Sequence, residues 1–214
     1  MADRAIVFVD GSNWYHSLRA IGARLLGRLN YASVSKKIAQ HRDWLATRYY
    51  IGQVEHRGRS ELYSEQRRFL ARLTRTDSRI TTHLGRLESR RTDSQAARAL
   101  LQYLQGLETR IERTVYRDLI DLARRHRDAE VVIEKAVDVM IAVDMVVMSE
   151  RDEFDTAYLL SADGDFTPAV NAVRSHGKAV FAVSGQPGAR LRGACNAFIR
   201  VDLEWLRDCY EGHA

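Results

Sequence analysis

The chain has 214 residues, 45% of them hydrophobic, enough for one compact domain with a proper core and short for two. Two cysteines, Cys195 and Cys209, exclude a disulfide framework and a cysteine-rich zinc site, and no apolar run suffices for a membrane span or signal peptide, so a reducing cytoplasm is expected. The formal charge of +5 rests mostly on arginine, since Lys36, Lys37, Lys135 and Lys178 are the only lysines; it suits an anionic partner, although a GC-rich genome raises arginine content equally.

Ala5 to Val9 (AIVFV) is a short run, rich in β-branched residues and ended by a turn signal, which predicts a buried parallel strand. The DGSN that follows can open a helix carrying Trp14, Leu18, Ile21 and Leu25 at helical spacing. A second helix is expected after Ser33, a strand at Arg48 to Val54, a helix at Leu62 to Leu73 and a strand at Ile80 to Leu84. Between Arg86 and Asp128 the sequence turns charge-dense, and Leu100, Leu104, Leu107, Val115, Leu119 and Leu122 recur at helical intervals, predicting two helices, or one interrupted near Gly106, standing out from the sheet as an arm. Ala136 to Met148 reads as a helix apolar almost all round and therefore deeply buried. Strands at Thr156 to Leu160 and Ala179 to Val183, with a helix at Phe166 to Ser175 between them, complete a βαβ alternation that argues for a parallel α/β sheet.

Asp10 directly follows a predicted strand, and Asp163 and Asp165 in SADGDF follow another; in open α/β sheets the ligand crevice lies at the carboxyl ends of the strands. If the two strands are neighbours, three carboxylates converge and repel unless a cation sits among them, and Mg²⁺ or Mn²⁺ suits hard oxygen ligands. The competing reading is that aspartates after strands simply cap helices. A fourth carboxylate, Asp138, falls within the apolar helix, where an ionised group is costly to bury without a partner such as a metal. Asp144, six residues on and about 120° round the helix, faces elsewhere. Lys135, one turn before Asp138, could pair with a carboxylate or meet a phosphate. Asn13 either orients a water or phosphate or caps the helix, and Ser161 either bonds a carboxylate or phosphate or stabilises its turn. Of Trp14, Tyr15, Tyr49 and Tyr50, any exposed near the crevice could stack on bases, with core packing the better expectation for Trp14 and Tyr49.

The blocks FVDGSNWY, EKAVDVMIAVD and YLLSADGDFTPAVNAVRSHGK, in that order and spacing, resemble the NYN domain of the PIN-like nuclease superfamily, in particular its bacterial LabA/DUF88 branch. The resemblance covers the chain except the arm. It implies a single domain over residues 1–214, a PIN-like, Rossmann-like three-layer sandwich around a mostly parallel sheet of order 3-2-1-4-5, with a helical insertion at about 86–129. It also implies a metal-dependent ribonuclease site in which Asp10, Asp138, Asp163 and Asp165 are the catalytic, metal-binding acids. Asn13, Ser161 and Lys135 are the expected substrate-binding polar groups. The expected partner is RNA, with single-stranded DNA as an alternative and no membrane. About the insertion the family says nothing: Arg98, Arg110, Arg113, Arg117, Arg124 and Arg125 alternate with Glu108, Glu112, Asp118 and Asp121, as suits a solvated arm or a homodimer surface as well as an RNA clamp.

Two other functions compete. A non-catalytic RNA-binding or regulatory module would keep the fold without hydrolysis. A small-molecule phosphatase lacks support, since neither a GxxxxGK[ST] loop nor a DxD pattern at Asp10 is present.

Overall fold

The computed structural model describes residues 3–210 apart from 25, 55–59, 92–94 and 129; Leu25, expected on the first helix, lies outside the described residues. The chain divides into two compact units, residues 1–86 with 135–214, and residues 87–134.

In the first unit β1 (Arg4–Asp10) leads into α1 (Gly11–Ala20), α2 (Tyr31–Ala39), β2 (Asp43–Gln53), α3 (Ser60–Thr76) and β3 (Ile80–Arg91). The second unit contains the end of β3, α4 (Gln95–Gln105), α5 (Arg113–Asp128) and all of β4 (Glu130–Lys135) but its last residue. Then come α6 (Val137–Glu150), β5 (Thr156–Leu160), α7 (Thr167–Ser175), β6 (Ala179–Ser184), α8 (Ala189–Ala194), β7 (Ala197–Arg200) and α9 (Leu203–Leu206).

The sheet has seven strands in the order β4-β3-β2-β1-β5-β6-β7, and the pairings from β3 through β7 are parallel. This differs from the expected five-strand order. β4 and β7 extend the sheet at its two edges, and the strands anticipated from the sequence occupy the positions between. Neither edge strand carries the long β-branched apolar run of a strand buried on both faces, which is why the hydrophobic signal understated them.

Alternation along β1 sorts its side chains between two cores. Ala5, Val7 and Val9 pack with Trp14 and Leu18 of α1 and Val34 and Ile38 of α2. Ile6 and Phe8 face the other way, against Ile141 and Met145 of α6 and Val170 and Val173 of α7. At the amino end of these strands Arg4 donates from its backbone N and from Nε to Asp155 Oδ2, both at 3.0 Å, and from Nη2 to Asp155 Oδ1 at 3.0 Å, tying β1 to the residue before β5. The guanidinium holds the Asp155 carboxyl well below the usual carboxylate range.

The expectation of deep burial for the apolar helix is corrected. α6 buries one face, Val137, Ile141, Met145 and Ser149, whereas Val139 is 65% and Val143 52% exposed. A helix lying on one side of a sheet has only a single face to bury, whatever its composition. Asp138 lies on the exposed side, so it is not the deeply buried charge that the sequence suggests. Lys135 is likewise not on this helix. It ends β4, and Ala136, in a left-handed conformation at φ 72° and ψ −11°, turns the chain between strand and helix. The turn is tight: a Cβ on Gly85 of β3 would stand 2.8 Å from the Lys135 carbonyl oxygen and 2.6 Å from Val137 Cγ2.

In the second unit α4 and α5 share a small apolar cluster of Leu101, Ile120 and Ala123, with Leu104 and Tyr116 beside it. Leu100, Tyr103, Val115 and Leu122 are exposed, so the apolar stripes are wider than the contact they make. No helix among the described residues is long and apolar enough to cross a membrane.

Candidate functional site

β1 and β5 are parallel neighbours at the middle of the sheet, in a register that pairs Val9 with Leu160. The next residues, Asp10 and Ser161, therefore leave the sheet side by side. Both are buried, at 3% and 0% exposure. The Ser161 hydroxyl donates to Asp10 Oδ2 at 3.1 Å and accepts from the Asp163 backbone N at 3.1 Å. Asp10 Oδ1 accepts from the Asn13 backbone N at 3.1 Å, and Asn13 Oδ1 accepts from the Ala162 backbone N at 3.1 Å. Asp163 Oδ1 accepts from the Asp165 backbone N at 2.9 Å, opening a short 3₁₀ turn over Gly164–Phe166. One continuous chain of hydrogen bonds thus joins Asp10, Asn13, Ser161, Asp163 and Asp165 across two loops.

Two of these carboxylates do cap helical turns, as the plainer sequence reading anticipated. Capping occupies only one oxygen of Asp163 and one of Asp10, whose second oxygen meets Ser161. Asn13 does not cap; it bridges α1 to the loop after β5.

Asp138, on the first turn of α6, joins this group electrostatically. Its pKa is raised first by desolvation and then by the charges of Asp163 and Asp165. Lys135 precedes Asp138 by three residues, across the Ala136 turn.

Among the described residues no three His, Cys, Asp or Glu side chains close into a ready-made metal cage. The donors that are present are nonetheless all hard oxygens on a surface of pooled negative charge. Mg²⁺ commonly engages only one or two carboxylates directly and keeps several waters, so this open arrangement fits Mg²⁺ or Mn²⁺.

Gly11 sets how closely this edge is packed. A Cβ there would lie 2.6 Å from the Tyr50 carbonyl oxygen and 2.8 Å from the Tyr49 ring, so only glycine lets α1 start this near β2. Behind α6, Asp144 accepts from Tyr50 Oη at 2.6 Å and from Arg48 Nη2 at 2.7 Å, and the Tyr50 ring stacks on His83 at 4.7 Å. Asp144 faces β2 and takes no part in the acidic group, as its position round the helix predicts. Sequence reasoning missed the support that it gives to α6.

It also missed Arg190. The Arg190 stem packs over Gly164, in the loop between the two aspartates; a Cβ on that glycine would meet Arg190 Cβ at 3.0 Å. Among the described residues its guanidinium makes no ion pair. The available signal was the SGQPGAR stretch, a glycine-punctuated loop after the AVFAV strand and so at the same end of the sheet. Of the four aromatics singled out, Trp14, Tyr49 and Tyr50 are core, whereas Tyr15 is 43% exposed.

A family model described as the NYN domain matches residues 4–202. No curated protein matches the chain. Among solved structures it is similar to a protein of unknown function from Vibrio parahaemolyticus, with a TM-score of 0.62, 16% identity and 96% of each chain covered. At that identity the likeness concerns the fold alone.

Proposed function

The chain belongs to the NYN domain family, generally nucleases of the PIN-like kind, and from that premise we propose that it is a metal-dependent ribonuclease of the LabA/DUF88 branch that hydrolyses RNA phosphodiester bonds. The observation that carries the reading is the pooling of acid at the carboxyl ends of β1 and β5: Asp10 is tied through Ser161 to Asp163, and the charges of Asp163 and Asp165 add to desolvation in raising the pKa of Asp138. In this reading Asp10, Asp138, Asp163 and Asp165 hold Mg²⁺ or Mn²⁺, and residues about 86–129 are an insertion in one domain whose exposed apolar side chains suit a homodimer.

Bound there, the ion would neutralise charge on the scissile phosphate and acidify an attacking water, leaving a 5′-phosphate and a 3′-hydroxyl. The chain's own residues prepare that chemistry. Asp10 is held by donors on both oxygens, so its charge is fixed before substrate arrives, without reorganisation. Asn13 holds the loop at Ala162 against α1. Arg190, packed on the acidic loop, supplies a guanidinium that can grip a phosphate oxygen, and Lys135 is a second cation for the same strand.

The test is cleavage of end-labelled RNA with Mn²⁺ and with EDTA, by the parent and by Asp138→Asn. Metal-dependent products from the parent and a loss of at least about 100-fold in the variant are expected. Equal rates would remove Asp138 from the site. The open spacing of the carboxylates favours one rival, a non-catalytic RNA-binding module; salt-dependent RNA binding without metal-dependent products would establish it.

A further inference from the structure

We propose that the exposed side of α1 carries a binding site for single-stranded nucleic acid, with a base stacked on Tyr15 and backbone phosphates held by Arg19 and Arg24. A hollow of about 500 Å³ lies there, lined by Tyr15, Arg19, Gly22, Ala23, Arg24 and Gly27. That volume is within the range of small-ligand pockets.

Three features make the hollow suited to a nucleotide. Tyr15 is 43% exposed although α1 buries Trp14, Ser17 and Leu18 on its other side, so the ring is presented outward by the helix period. The Arg19 guanidinium, one helical turn further on, lies over the Tyr15 ring at 5.9 Å from its centroid, and His16 meets the ring edge-on at 5.5 Å, so a cation already accompanies the aromatic surface on which a base would stack. Neither Arg19 nor Arg24 has an acidic partner among the described residues, and no acidic side chain lines the hollow. Small residues form the remaining wall, and Gly22, at φ 87°, makes the bend that ends the helix there. An aromatic face flanked by free arginines and a rim without acids is the chemistry that holds unpaired bases on a polyanion.

Tyr15 is five residues beyond Asp10, roughly 7 Å along the helix axis at 1.5 Å per residue. The site therefore receives a nucleotide a short way along the strand from the acidic group. This deepens the nuclease reading and rests on it for the identity of the strand, but the binding itself requires no cleavage.

The experiment is fluorescence anisotropy of a labelled single-stranded 12-nucleotide RNA in EDTA, with the parent protein, Tyr15→Ala, Tyr15→Trp and the double variant Arg19→Ala with Arg24→Ala. Tyr15→Ala is expected to weaken binding about 10-fold or more and Tyr15→Trp to retain it, since each stacked base contributes ~1–3 kcal/mol, roughly 5- to 150-fold. The double variant is expected to lower the slope of log K against log salt by about 1.4, at ~0.7 per single-strand phosphate contact. Unchanged thermal melting of each variant excludes misfolding as the cause. A Tyr15→Ala protein that binds as tightly as the parent, a parent that does not bind, or poly-glutamate competing as well as the oligonucleotide would each overturn the proposal. Metal-dependent cleavage is scored separately, so a parent that binds through Tyr15 but does not cut RNA sinks the nuclease reading and supports this one.

Discussion

Ser161 and Asp10, 151 positions apart in sequence, share a hydrogen bond of 3.1 Å inside the protein, and the same hydroxyl receives the backbone N–H of Asp163. Ser161→Ala removes both contacts at once and leaves a peptide N–H without its partner beside a buried carboxylate. The expected cost is about 1–3 kcal/mol of stability, together with a loss of RNA cleavage larger than the loss of RNA binding. Urea denaturation and single-turnover cleavage check it; a variant as stable and as active as the parent would show that the hydroxyl organises nothing.

Asp138→Asn has the opposite profile. Because desolvation, and then the charges of Asp163 and Asp165, raise the native pKa of Asp138, neutralising it relieves an unfavourable charge in the folded state, so the variant is expected to melt at or above the parent's temperature. A fall in melting temperature would mean that Asp138 carries structural contacts instead of unfavourable charge.

The legibility of this molecule divides along physical lines. AIVFV, TAYLL and AVFAV were readable because strands buried on both faces need continuous apolar runs, and the aspartates following two of them became informative by position alone. The helical character of α4 and α5 was readable from their leucine spacing, though not whether the chain breaks into two helices near Gly106. The burial of α6 was not: Val139 and Val143 belong to the same apolar run as Ile141, and periodicity cannot tell which of them finds a neighbour. Lys135 was misplaced because a left-handed alanine gives no composition signal, unlike glycine. Arg190 was missed because its partner is a backbone, Gly164, with no side chain to pair in the sequence.

Acid sensitivity should appear in two stages. Desolvation, and then the charge of Arg48, lower the pKa of His83; the associated stability is present above the unfolded value near 6.5 and is lost as the pH falls below it through the lower native value. For Asp144 burial opposes ionisation, but the hydrogen bonds from Tyr50 and Arg48 outweigh it and the pKa is lowered. Its contribution is present above about pH 4 and fades as the pH falls toward the lower native value. Urea midpoints between pH 8 and 3 should show both declines. His83→Gln should remove the first and Asp144→Asn should make the second shallower without abolishing it, because Asp155 loses its ion pair in the same acid range, and the latter variant should also cost about 1–2 kcal/mol at neutral pH. A parent curve flat from pH 8 to 5 would refute the His83 assignment.

Gly11→Ala forces a methyl group against the Tyr50 carbonyl and the Tyr49 ring. The expected loss is about 1–3 kcal/mol from overpacking, with reduced cleavage because Asp10 and Asn13 flank the displaced position. Thermal melting with a cleavage assay would decide; an unperturbed melt would mean that α1 shifts without cost.

Arg190→Ala should leave the fold intact, since its guanidinium has no ion pair to lose among the described residues, while raising the KM for RNA several-fold at moderate salt and less at high salt. KM values at two ionic strengths provide the check, and an unchanged KM at the lower one would place Arg190 off the strand.

The Arg4 to Asp155 contacts grip β1 and β5 at the ends opposite to the acids. The pair of strands is therefore tied at both poles, by an ion pair at one and by the Ser161 hydroxyl among carboxylates at the other. Altering that remote clasp would change heat tolerance while the acidic pole keeps its composition.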